Sequence, residues 1–140
     1  MADTFQLQVA TPERLFADEQ VSEAELPGRN GYMGILPGHA PLLSALAPGI
    51  LTYGSGGSRQ AIVIDGGFVE VFDNQVRVLA DSAQRADQVD MNQARQDLDA
   101  ANRALREAQN SEESDAALEL LQKAQARIDI AEQGAGRAQS

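Results

Sequence analysis

The sequence predicts two unlike parts: a β-rich first half built as a sandwich or barrel, and a C-terminal antiparallel helical hairpin. Three observations carry this. In the first half, apolar and polar residues alternate in short runs. Turn residues punctuate those runs at roughly the eight- to twelve-residue spacing of sandwiches and barrels. From Asp90 onward the apolar period changes from two to between three and four, the period of a helix. The boundary falls within "DSAQRADQ" and divides the chain into residues 1–85 and 86–140.

The strands follow in order. "TFQLQVA" alternates Phe5, Leu7 and Val9 with polar neighbours, as a half-buried strand does. In "QVSEAEL" the apolar residues are Val21, Ala24 and Leu26, and the alternation slips by one, which predicts a bulge or twist. "ILTYG", "QAIVID", "FVEVF" and "QVRVLA" read as further short strands. Turns are expected at residues 28–30, at "GSGGS" (54–58), at Gly66-Gly67 and at Asp73-Asn74.

In the second half, Met91, Ala94, Leu98, Ala101, Leu105 and Ala108 step by three and four and form one helical seam. Asp90, with Gln93 three residues on, fits a capping box at its start. "NSEES" (110–114) breaks the pattern, and Ala117, Leu121, Ala124, Ile128 and Ala131 form a second seam. A short break between amphipathic helices implies an antiparallel pair. The tail "QGAGRAQS" is expected to fray. Alanine fills three of the six positions in the first seam and three of the five in the second, and each alanine in place of leucine gives up about 2–3 kcal/mol of burial. Two readings stay open: a hairpin held shut by only a few kcal/mol that opens or re-docks, or alanines that simply let two helices approach closely.

Composition narrows the function. The chain has 140 residues, a net charge of −10 and 43% hydrophobic residues, but only 4% aromatics. The negative charge repels phosphate backbones and anionic lipid, which disfavours nucleic acid and direct membrane-surface binding. The acid excess is spread evenly, with five basic and ten acidic residues in 1–85 and six and eleven in 86–140. With no cysteine, disulfides, thiolate nucleophiles and zinc–thiolate sites are excluded, and one histidine excludes any site needing two imidazoles. The N-terminal segment does not read as a secretory signal, and no apolar run approaches the roughly 20 residues that span a bilayer. A cytosolic compartment is the default expectation.

The run "GYMGILPGHAPLLSALAPG" (31–49) mixes turn residues with Ile35, Leu36, Leu42, Leu43 and Leu46. It lacks the Gly-Lys-Ser/Thr of a phosphate loop, Lys123 being the only lysine in the chain. His39 has Ser44 as its nearest hydroxyl, but no nucleophile elbow surrounds that serine. The carboxylate pairs Glu23/Glu25 and Asp97/Asp99 read as solvated faces, and no twelve-residue calcium loop occurs. What remains is a stiff apolar projection in which prolines fix φ and glycines permit tight turns. Its leucines either form a docking surface or plug one end of the sandwich.

The segment "LPGRNGYMGILPGHAPLLSALAPG" (26–49), "GGFVEVFDNQVRVLAD" (66–81) and the two-helix C-terminus together resemble the epsilon subunit family of F-type ATP synthase. The resemblance implies a β-sandwich of about ten strands followed by a helical hairpin. It implies a non-catalytic, central-stalk role: coupling the rotor to ATP synthesis and proton transport, and inhibiting ATP hydrolysis through the C-terminal helices. The implied partners are the gamma subunit, the c-subunit ring and, with the hairpin extended, the alpha and beta subunits. Membrane association is implied only through the complex, at the cytoplasmic face of a bacterial inner membrane. Gly34, Pro37, Gly38, His39, Ala40 and Pro41 fall on the motif that the family uses at the stalk and ring contact. Some members hold ATP on the hairpin through Ile/Leu-Asp-x-x-Arg-Ala. Here that motif reads Val89, Asp90, Met91, Asn92, Gln93, Ala94, with glutamine in place of arginine. Losing that cation removes charge-assisted bonds to the nucleotide, so weak or absent ATP binding is expected, with no cofactor, and Asp90 is left as a helix cap. Arg95, Arg103, Arg106, Lys123 and Arg127 are candidates to meet acidic groups on alpha and beta. The alternative is a stand-alone β-sandwich binding module with a helical oligomerisation hairpin.

Overall fold

The computed structural model describes residues 3–138, with side chains as far as Gly134. It divides into two compact units, the first ending at Ala83 and the second beginning at Gln84.

The first unit contains β1 (Phe5–Ala10), β2 (Leu15–Val21), β3 (Glu23–Gly28), β4 (Gly31–Ile35), β5 (Leu42–Ser55), β6 (Ser58–Phe72) and β7 (Gln75–Ala80), and the two-residue β8 (Ala83–Gln84) straddles the boundary. The hydrogen-bonded order is β2-β1-β7-β6-β5-β3-β4, and β8 pairs with β6 off that path. All neighbours are antiparallel except β1 and β7, which run parallel. Residues from both ends of this order, such as Leu7 and Val78 on one side and Leu26, Ile35 and Tyr53 on the other, share one core. The sheet is therefore folded over on itself as a sandwich, with an aliphatic interior.

About ten strands were expected and eight form, because β5 and β6 each run unbroken where the sequence suggests an interruption. Gly66-Gly67 is not a turn: both glycines have positive φ (115° and 135°) inside β6. Gly67 is required there, because a Cβ would lie 2.1 Å from the Leu79 carbonyl oxygen. The alternation slip near residue 22 is a change of partner. Before Ser22 the chain pairs with β1, and after it with β4 and β5. Ser22 fixes the corner by donating its backbone N–H to the Gly54 carbonyl at 2.9 Å.

The second unit holds a 3-10 turn at Ala86–Gln88, α1 (Met91–Glu107) and α2 (Ser111–Ala138). Asp90 caps α1 by accepting the Gln93 N–H at 3.1 Å. The reciprocal half of the expected capping box is not made, and the Gln93 side-chain NH2 donates to Asp97 Oδ1. The break between helices is shorter than expected, and α2 already begins at Ser111. Asn110 accepts the Glu113 N–H at 2.8 Å, while Glu113 reaches back to the Gln109 N–H at 2.8 Å. Those bonds satisfy orphan donors of the first turn. Both seams form as expected, with Ala94, Ala101, Ala117 and Ala124 nearly inaccessible and Leu98, Leu105 and Leu121 half-buried. A second buried stripe on α2, Ala126 and Ile130, has no counterpart in the sequence reading. Beside it, Arg127 Nε donates to Gln84 Oε1 at 2.9 Å. A Cβ on Gly134 would stand 2.8 Å from that of Ala86. The helix continues past Gln133 to Ala138, so the expected frayed tail is helical there; residues 139 and 140 lie outside the described residues.

Candidate docking surface

The apolar residues of the run at 31–49 divide between core and solvent. Ile35 and Leu46 are fully buried, and Leu42 packs against the core. Leu36 and Leu43 stand in solvent, 63% and 74% exposed. Alternation along the strands explains the division, since successive side chains point to opposite faces.

Residues 36–39 form a tight turn, closed by His39 N–H donating to the Leu36 carbonyl at 3.2 Å. Pro37 occupies the second position and Gly38, at φ +80°, the third, the arrangement of a type II turn. The Gly38 N–H donates to Asn74 Oδ1 at 2.9 Å. His39 Nδ1 donates to the Ala40 carbonyl at 2.7 Å, which leaves Nε2 as the ring's acceptor when neutral. Ala40 and Pro41 are exposed and lead into β5. Gly34 lies on edge strand β4, paired with Glu25, and nothing stands within 4 Å of where its Cβ would be. Gly38 is explained by its φ. The chain's own packing does not require Gly34.

The strand registers add a feature that the sequence reading missed. Ala45 pairs with Phe68, Phe68 with Leu79, Leu79 with Ala10, and Ala10 with Leu15. Directly paired residues share a face, so these five form one apolar row across the exposed side of β5-β6-β7-β1-β2. Phe68, Leu79 and Leu15 in it are each more than half exposed. The next row reads Leu43, Glu70, Arg77, Gln8, Asp18. A shallow cleft lined by Pro41, Leu42, Leu43, Glu70, Val71 and Phe72 connects this face to the turn. The signal was present in "FVEVF", where alternation that buries Val69 and Val71 must place Phe68 and Phe72 outward.

No reactive grouping accompanies these surfaces. The Ser44 hydroxyl donates to the Ala45 carbonyl rather than to His39. Among the described residues no three His, Cys, Asp or Glu side chains are placed to hold a metal, and no helix is long and apolar enough to cross a membrane. Asp90 sits at the α1 N-terminus as a cap, with Gln93 turned along its own helix and Arg95 exposed.

A stiff turn and an apolar sheet face are carried on a sandwich that continues into a helical hairpin. The family follows from comparison: residues 4–86 match the model of the ATP synthase delta/epsilon chain β-sandwich domain. The chain is 51% identical to the ATP synthase epsilon chain of Solibacter usitatus over 110 residues, 79% of this chain and 80% of that one. It is 40% identical to the ATP synthase epsilon chain of Nitratidesulfovibrio vulgaris (strain DP4) over 130 residues, 93% and 97% of the two chains. The chain belongs to the ATP synthase epsilon chain family. Its fold is shared with a chain of the Euglena gracilis mitochondrial ATP synthase OSCP/F1/c-ring assembly (TM-score 0.78, 23% identity, covering 94% of this chain and 82% of that one). It is also shared with a chain of the Tetrahymena thermophila mitochondrial ATP synthase central stalk and c-ring (TM-score 0.64, 16% identity, covering 90% and 95%).

Proposed function

We propose that this chain is the non-catalytic epsilon subunit of a rotary ATP synthase, seated on the central stalk at the cytoplasmic face of a bacterial inner membrane. Its sandwich docks on the rotor through the turn at residues 36–41, including Pro37, Gly38, His39, Ala40 and Pro41, together with Gly34 on the adjoining edge strand. The partners are the gamma subunit and the c-subunit ring. The carrying observation is that Leu36 and Leu43 are exposed on backbone held rigid by a type II turn and by continuous strand pairing. A projection that served only the chain's own core would have turned these leucines inward. The open space around Gly34 supports the same reading, since it leaves room for a partner's backbone to approach. The apolar row from Ala45 to Leu15 extends the docking area across the sheet, and depleted charge at its centre suits a protein interface. The hairpin, residues 86–140, is the regulatory part: when extended it meets the alpha and beta subunits and inhibits hydrolysis.

The test is reconstitution of ATP synthase depleted of this subunit. Full-length chain is expected to bind gamma and restore coupled proton transport. Leu43→Ser combined with Phe68→Ser is expected to weaken gamma binding at least tenfold while the free chain keeps its β-sheet circular dichroism; undiminished binding would overturn the docking assignment. Removing the residues after Arg85 is expected to raise ATP hydrolysis with coupling retained. Unchanged hydrolysis would remove the regulatory role from the hairpin.

A further inference from the structure

We infer that Asn74 is a positioning residue for the docking turn, setting the pose of Leu36–His39 through its side chain. This rests on the docking reading above and adds to it a residue outside the turn. Asn74 lies 36 residues beyond Gly38 in the chain, at the tip of the β6–β7 hairpin. Asp73 and Asn74 both have positive φ, 53° and 58°, as a two-residue type I′ hairpin requires. That backbone choice aims the Asn74 side chain away from its own hairpin. Its Oδ1 accepts the Gly38 N–H at 2.9 Å, and its Nδ2 donates to the Thr4 carbonyl at 2.8 Å. Its own carbonyl accepts the Gln6 N–H at 3.2 Å. One residue therefore ties three segments distant in sequence: the start of β1, the β6–β7 hairpin and the docking turn.

The bond to Gly38 has a particular consequence. Gly38 is the residue of the turn at positive φ, and no neighbour stands within 4 Å of its Cβ position to hold it by packing. The turn's own closing bond, from His39 to Leu36, fixes its shape but not its tilt against the sandwich. The amide of Asn74 supplies that orientation from a hairpin whose strands are paired along their length. Asparagine suits this place on two counts: it tolerates the left-handed region, and it offers both an acceptor and a donor. Glycine would keep the hairpin but release the turn. Aspartate would keep the acceptor for Gly38 and lose the donor to Thr4.

The experiment compares full-length Asn74→Gly, Asn74→Asp and Leu36→Ala chains, alone and combined, in binding to the subunit-depleted ATP synthase. Melting of each free chain is followed in parallel. Asn74→Gly is expected to weaken binding by about three- to tenfold, the equivalent of one net hydrogen bond. Asn74→Asp is expected to lose less than Asn74→Gly, because the acceptor for Gly38 is kept while a carboxylate oxygen replaces the donor facing the Thr4 carbonyl. Combining Asn74→Gly with Leu36→Ala is expected to weaken binding no further than Leu36→Ala alone, because the oriented contact is already gone. If Asn74→Gly lowers the melting temperature but leaves affinity unchanged, Asn74 is a structural staple and the inference fails. Losses that multiply in the double variant would also overturn it, by placing Asn74's effect outside the turn. If Leu36→Ala itself leaves affinity unchanged, the docking reading at this turn fails first and takes the inference with it.

Discussion

The sandwich and the hairpin bury their surfaces with different side chains. The sandwich core is built from Phe5, Leu7, Leu26, Ile35, Leu46, Leu51, Tyr53, Ile62 and Ile64, each no more than 1% exposed. Between α1 and α2 the buried seam positions are alanines except for Ile128, and the seam leucines stay half-exposed; Ile130 is buried on the other side of α2. A fully buried leucine or isoleucine contributes about 1.5–3 kcal/mol, whereas an alanine methyl contributes about 0.8 kcal/mol. Strand pairing adds a second contrast. The sandwich is cross-linked by pairings far apart in sequence, such as Phe5 with Val21 and Gln6 with Gln75. Helical hydrogen bonds are local and survive separation of the two helices. The two units therefore differ in what holds them: pairings distant in sequence join the first, and local helical bonds with an alanine-rich seam join the second.

The largest expected effect lies in the sandwich. Gly67→Ala sets a Cβ 2.1 Å from the Leu79 carbonyl oxygen and 2.8 Å from Ala80 Cα, at a φ of 135° that L residues rarely adopt. Neither neighbour is a flexible side chain, so β6 and β7 must separate. A loss of about 4 kcal/mol or more is expected, enough to unfold the sheet. Gly56→Ala is the matched control, with positive φ but nothing within 4 Å, and it is expected to cost only about 1 kcal/mol. Urea titration followed by circular dichroism checks both. Equal effects would mean that close approach does not govern Gly67.

An intermediate effect is expected at the seam. Ala101→Leu adds three heavy atoms where the parent side chain is 1% exposed. Overpacking of this kind costs about 1–3 kcal/mol. Hydrogen exchange is expected to quicken across α1 and α2 while the amides of β1, β6 and β7 keep their protection. Slower exchange would show the alanines to be missing volume rather than close contact. A uniform change across both units would break the comparison, because the seam would then not open by itself.

Period and alternation made most of this fold readable. They placed β1, β7, both seams and the Asp90 cap, because each depends on residues close in sequence. What escaped depends on distant partners. β6 passes through Gly66 and Gly67 without turning because β5 pairs with it from Leu42 to Ser55. Ala126 and Ile130 fall outside the seam period, so burial on a second side of α2 left no pattern. The apolar row as a whole is not readable along one strand, since it takes one residue from each of five; "FVEVF" shows only that Phe68 points outward. Asn74 read only as a turn residue, and its bonds to Gly38 and Thr4 arise from segments distant in sequence that the topology brings together. The turn itself was readable because Pro37 and Gly38 carry its backbone preferences in their own chemistry.

The smallest expected effect separates the two roles open to Asp90. As a cap it accepts the Gln93 N–H, and removing that acceptor costs about 1 kcal/mol. Asparagine caps as well as aspartate, so Asp90→Asn is expected to leave the hairpin's stability within a few tenths of a kcal/mol, whereas Asp90→Ala is expected to lose the full amount. The readout is hydrogen exchange over the first turn of α1, where fraying begins. A nucleotide role predicts a different pattern, in which ATP stabilises the hairpin by mass action and both substitutions abolish that stabilisation. The geometry favours the cap: Gln93 spends its side-chain amide on Asp97 and carries no charge to offer a phosphate. Titration of the full-length chain with ATP is therefore expected to show no saturable heat in the low micromolar range. Binding in that range, lost in Asp90→Asn, would make the aspartate a ligand, and the weakly packed seam would then be set by nucleotide rather than by alanine alone.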